Sequence, residues 1–231
     1  MEEKLNPNKK TARIAGLLYL VIAVCSGFAF IVRSKLIVPD DASKTISNIT
    51  NSEMLFRISL MSDLFGQIFF VLTVLILYKL LQTVNKNQAL VMLAFALIPV
   101  PIACINIVSQ FTMLQLLNGT DLSFSLNQLH SQTMFFLDSY NYGVFVAQIF
   151  WGLWLFPLSY LVFKSDFIPK VISILLIIAG SGYLIDSLGS LLSANYNLSI
   201  AGFTLIGELI LIFWLLIKGV KEHQAAIGAV N

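Results

Sequence analysis

Charge is what this sequence has least of. Only 11% of its 231 residues are Asp, Glu, Lys or Arg, whereas 58% are hydrophobic and the mean hydropathy is +0.85. A soluble domain carries about 25% charged residues, so a water-covered globular fold is excluded. Histidine is scarcer still, with His130 and His223 alone in the chain. The topology derived below separates them across a membrane, which excludes a haem held by two histidines and a His-rich zinc site. Cys25 and Cys104 fall inside apolar runs and form no CxxC pair, so they read as small packing residues rather than a redox couple or a disulfide framework. Walker-type and dinucleotide glycine loops are absent, and a formal charge of +2 leaves no footprint for nucleic acid. No cofactor is implied.

Apolar runs are what the sequence has in abundance. A bilayer core about 30 Å thick needs roughly 20 apolar helical residues per crossing. Six such runs are present, over residues 13–32, 54–80, 88–114, 133–163, 169–192 and 198–217. The longest connections, 33–53 and 115–132, are too short for a separate soluble domain. The expected fold is all-α, a six-helix polytopic membrane protein in which residues 1–231 form one membrane domain. Lys9, Lys10 and Arg13 before an apolar run also suit a signal peptide. The run from Gly16 to Val32 is too long for that, however, and ends on Arg33 and Lys35 instead of a cleavage site.

The basic residues orient the bundle. With a cytoplasmic N-terminus, the inner side carries Lys4, Lys9, Lys10, Arg13, Lys79, Lys86, Lys164, Lys170, Lys218 and Lys221. Arg33, Lys35, Lys44 and Arg57 cluster around the first outer loop. The positive-inside rule then places both termini in the cytoplasm. Asn48, Asn118 and Asn197 begin N-x-S/T sequons on the outer side, which read as coincidence. After Pro39, Asp40 or Asp41 can cap a short helix carrying Ile46, Ile49 and Leu55 at helical spacing, so 41–53 is expected on the outer surface, as a connector or a lid. Pro99 and Pro101 in the third span, and Pro157 in the fourth, predict breaks or kinks.

Four acids interrupt the apolar runs: Asp63, Asp138, Asp186 and Glu208. Each ionised carboxylate at a helix centre costs about 2.5–3.5 kcal/mol on insertion scales, so four facing lipid would cost on the order of 10 kcal/mol. They are expected to face inward. Counting residues from the cytoplasmic boundaries puts Asp63 and Asp186 in the outer leaflet, level with Asn106 and Gln110. Asp138 falls near the outer interface and Glu208 near the midplane. Ser59, Asp63 and Gln67 share a face, as do Asp138, Asn141, Phe145, Gln148 and Gly152, and likewise Gly182, Asp186, Gly189 and Ser193. Arg57 has Glu53 as its local partner at i−4 and can also reach an acid on another helix.

This layer supports three functional readings. The first is an outward-facing acidic pocket lined by Asp63, Asn106, Asp138, Asn141 and Asp186, with Asp63 and Asp186 as counter-ions, Arg57 nearby and Glu208 as a proton site. Such a pocket binds or passes a small cationic or protonatable ligand. The second is a structural polar network inside a non-catalytic accessory or partner protein of a membrane complex. The third is a metal-assisted membrane enzyme using Asp138, Asp186 and His130. Catalysis is otherwise disfavoured. Gly180-Ser181-Gly182 lacks an intramembrane histidine as base, and the stretch before Asp186 is not the glycine-x-glycine-aspartate of intramembrane aspartyl proteases. Asp63 and Asp186 lie at similar depths, unlike the partners in an inverted three-plus-three transporter repeat. The expected partners are the lipid bilayer and a small cationic ligand.

Several blocks are distinctive: Arg13-Ile14-Ala15-Gly16-Leu17-Leu18-Tyr19; Leu55-Phe56-Arg57-Ile58 through Asp63-Leu64; Leu77-Tyr78; Ile149 through Leu161; Lys164 through Lys170; and Ala179 through Asp186. In these the chain resembles the bacterial domain-of-unknown-function 4386 family over nearly its whole length. Ser159, where glycine is expected, and Lys170, where arginine is more usual, are mild departures. The resemblance implies a multi-pass protein of the bacterial plasma membrane, assigns no activity, and places Arg57, Asp63 and Asp186 within shared motifs.

Overall fold

The computed structural model describes residues 7–39, 41–119, 125–193, 195–196 and 198–219. These form ten α-helices and no strand: α1 (Pro7–Leu36), α2 (Ala42–Asn51), α3 (Glu53–Leu81), α4 (Lys86–Leu97), α5 (Pro99–Asn118), α6 (Leu126–Leu153), α7 (Leu155–Lys164), α8 (Lys170–Leu192), α9 (Ile200–Thr204) and α10 (Ile206–Ile217). Among the described residues they make six segments long and apolar enough to cross a membrane, with α4–α5, α6–α7 and α9–α10 each acting as one broken span. The sequence-read spans coincide with these segments. Most of the helices overrun them, because a helix continues past the apolar run into polar residues that a hydropathy boundary excludes.

The breaks have local causes. Pro99 and Pro101 lack the N–H groups that would bond the carbonyls of Phe95 and Leu97, and the helix divides at Ile98. Pro157 likewise leaves the carbonyl of Leu153 without a helical donor, and the division falls at Trp154. The sixth span divides at Leu205 without proline. There the Leu205 carbonyl accepts a tighter i→i+3 bond from Glu208 N at 3.0 Å. Helix starts follow side-chain caps: Asp41 Oδ1 accepts from Lys44 N at 2.8 Å, Asn85 Oδ1 from Gln88 N at 3.0 Å, and Ser125 with Gln128 forms a capping box. Asp41 is thus a cap for the expected surface helix, α2, which buries Thr45 and Ile49 beneath it. Asp40, Asn197 and His223 lie outside the described residues.

The helices form a ring in which α1 packs on α3 and α10, α3 on α4 and α5, α5 on α6, and α6 on α8. The start of α1 and the end of α10 lie on one side, where Arg13 Nη2 donates to the Ile217 carbonyl at 3.2 Å. We call the opposite side the distal end. A large apolar core around Trp154, Leu155, Leu158, Val74, Leu77 and Leu211 fills the half nearer the termini. A smaller one, with Ile49, Phe56, Leu60, Met113 and Leu137, fills part of the distal half. α6 and α8 meet backbone to backbone at Gly152 and Gly180. A Cβ on Gly152 would lie 2.8 Å from the Gly180 carbonyl oxygen, so only glycine permits this approach. The outward surface is apolar, with Phe30, Ile105, Leu192 and Phe203 all exposed, as lipid contact requires.

Candidate functional site

Between the two cores the ring does not close on itself. A cavity of about 830 Å³ runs from the middle of the bundle towards the distal end, walled by α1, α3, α6, α8, α9 and α10. That is the size of a pocket for a drug-sized molecule. Its floor is aromatic: Trp154, fully buried, receives Phe70 edge-on at 5.5 Å and Tyr19 tilted at 6.2 Å. Ile22, Ala23, Phe145 and Leu209 add apolar wall, and Ser26, Gln67, Gln148, Ser190, Asp186 and Glu208 are among the polar groups facing it.

Glu208 sits in the first turn of α10, just past the Leu205 break, at the cavity wall. Tyr19 of α1 donates its hydroxyl to Oε2, and Tyr183 of α8 donates to Oε1 at 2.8 Å. Three helices thus converge on one carboxyl. Among the described residues the ion pairs are Arg33 with Asp63 and Arg57 with Glu53, so no basic side chain pairs with Glu208. On α3, Gln67 also lines the cavity, and its buried Oε1 has no hydrogen-bond partner.

Asp186 touches the same cavity but is occupied. Its Oδ1 accepts from Tyr196 Oη at 2.6 Å and Ile200 N at 3.0 Å, and its Oδ2 from Ala201 N at 2.6 Å. The carboxyl fastens the connection after α8 to the start of α9. On the connection itself, this hydrogen bond, with a smaller contribution from burial, pushes the Tyr196 phenol up to about 12.

The other sequence-read candidates stand elsewhere. Asp63 pairs with Arg33 at 2.5 Å, and that guanidinium lies 5.2 Å from the ring centre of Tyr140, so α1, α3 and α6 are tied together. Asp63 is not part of the cavity wall. Arg57 bonds Glu53 at 2.6 Å and, contrary to the alternative expected from sequence, among the described residues it reaches no acid on another helix. Asn106 is buried against Gly143 of α6, away from the cavity. Asp138 and Asn141 are exposed, which corrects the expectation that all four acids point inward. The buried side of α6 carries Thr133, Leu137 and Ala147, and Asp138 and Asn141 occupy the neighbouring face. Only the deeper part of that face, Phe145 and Gln148, reaches the cavity. The expected Asp138, Asp186 and His130 metal grouping does not form. His130 lies 3.4 Å from Ser43 Oγ, and among the described residues no three His, Cys, Asp or Glu side chains are placed to hold an ion. Sequence reasoning missed Tyr19, Tyr183 and Gln67 as site residues, although the depth count that located Glu208 would have set both tyrosines near the same level.

Ten helices, six membrane-length segments and a cavity walled by spans define a polytopic helical membrane protein. The family model for the domain of unknown function DUF4386 matches residues 14–219, and the chain belongs to that family. It is also 34% identical over 150 residues to an uncharacterised protein of Archaeoglobus fulgidus, a match covering 64% of this chain and 75% of the relative. No solved structure matches it.

Proposed function

We propose that this chain is a single membrane domain of a bacterial plasma membrane, with both termini cytoplasmic and the distal end outward, that binds or passes a small protonatable amine. The orientation follows from ten of the fourteen basic residues falling on the side of the termini. The observation that carries the ligand class is Glu208, a carboxyl at the wall of an 830 Å³ cavity with phenol partners and, among the described residues, no basic one. A carboxylate in that position is balanced most directly by a cation entering the cavity. The unpartnered Gln67 Oε1 supports the same ligand, since an ammonium group has donors to give and no acceptor. Asp63 and Asp186, whose partners are already in place, serve the scaffold.

The test is titration of the protein in lipid nanodiscs with 2-phenylethylamine and with 2-phenylethanol, its uncharged analogue. Saturable binding of the amine and none of the alcohol is the expected result. Equal binding of the two, or none of either, would leave the accessory-protein reading in its place.

A further inference from the structure

The cavity has polar closures on two of its sides and none on a third. Above its distal rim, Arg33, Asp63 and Tyr140 join α1, α3 and α6. Each stands three to five residues beyond the outermost wall residue of its helix, Phe30, Gln67 and Phe145 respectively. On the α8 side, Asp186 holds Tyr196 and the start of α9. Between α1 and α9 there is no such fastening among the described residues. α1 packs on α10 near the termini, where Gly16 meets Leu215 and Leu216, but has no comparable packing with α9. The wall residues flanking this gap are Gly27 and Phe30 on one side and Leu198 and Gly202 on the other. Phe30 is 69% and Leu198 65% exposed, and a Cβ added at Gly27 would meet no atom within 4 Å. In a membrane these residues face acyl chains, not water.

From this gap we infer that the site opens sideways into the bilayer, and that its ligand is a membrane-partitioned amine with a hydrocarbon body, arriving through the leaflet at the distal end. The inference rests on the amine reading above and narrows its substrate class. The ammonium group settles at Glu208 and Gln67, and the apolar body lies along Ile22, Phe145 and Leu209 towards the gap.

The experiment compares two probes of similar length in nanodiscs: octylamine, which partitions into lipid, and 2-[2-(2-aminoethoxy)ethoxy]ethanol, which stays in water. Octylamine is expected to bind and the ether amine not. Gly27→Phe, which fills the gap, is expected to slow octylamine association about tenfold, and Phe30→Ala, which removes an exposed ring without unpacking a core, to speed it. Equal binding of both probes, with association rates unchanged in both variants, overturns the lateral route and leaves the amine site standing. Failure of both probes to bind overturns the two together.

Discussion

Arg33 on the first membrane helix and Asp63 on the second form a 2.5 Å ion pair whose side chains are only 11% and 14% exposed. The pair gives Asp63 a positive partner of its own, so it has no charge left to offer a ligand. Removing one member strands the other in a poorly solvated place. Asp63→Asn or Arg33→Met is expected to cost about 3 kcal/mol, and the double variant Arg33→Met with Asp63→Leu to recover most of it. Thermal unfolding in detergent measures both.

Tyr183 and Tyr19 hold Glu208 from opposite helices. Either tyrosine changed to phenylalanine removes one hydrogen bond to a carboxyl and leaves the ring in place, so each is expected to lower stability by roughly 1.5–3 kcal/mol. The two losses should not add, because both act on one acceptor group. A double-mutant cycle on the unfolding midpoints checks this.

Tyr196 provides a pH test outside the spans. A phenol held at about 12 in the folded protein contributes fully below its unfolded value of about 10, and the contribution is lost as pH rises towards 12. The stability difference between the protein and Tyr196→Phe should therefore be constant up to about pH 10 and vanish by about pH 12. Melting curves of the two proteins across that range give the answer, since other tyrosines titrate equally in both.

Gly152 faces the Gly180 carbonyl where α6 and α8 touch. Gly152→Ala would place its Cβ 2.8 Å from that oxygen, and the helices cannot separate without unpacking Leu155 and Leu184. A loss of about 1–3 kcal/mol is expected, read as a lower melting temperature in detergent.

Much of the architecture is legible in one dimension. Apolar runs locate all six spans, prolines mark two of the three breaks, and Asp41 marks the start of α2. Features set by facing helices are not legible that way. Arg33 reads as a loop residue, because hydropathy ends its helix at Val32, yet α1 continues to Leu36 and the side chain turns back to Asp63. The stripe from Asp138 to Gly152 has helical spacing, but spacing alone does not say which of two adjacent faces is buried, and Thr133 and Leu137 take that face. The partners of Glu208 are 189 and 25 residues away in sequence. The acidic layer read from depth therefore resolves into two scaffold contacts, one exposed residue and one carboxyl facing a cavity.

Glu208 carries the central claim, and amine affinity in nanodiscs tests it most directly. For 2-phenylethylamine, Glu208→Gln is expected to lose roughly 2–5 kcal/mol of binding, about thirtyfold or more, while the paired Arg33→Met and Asp63→Leu variant keeps the affinity of the unmodified protein. Unchanged affinity in Glu208→Gln, or an equal loss in the paired variant, would contradict the account.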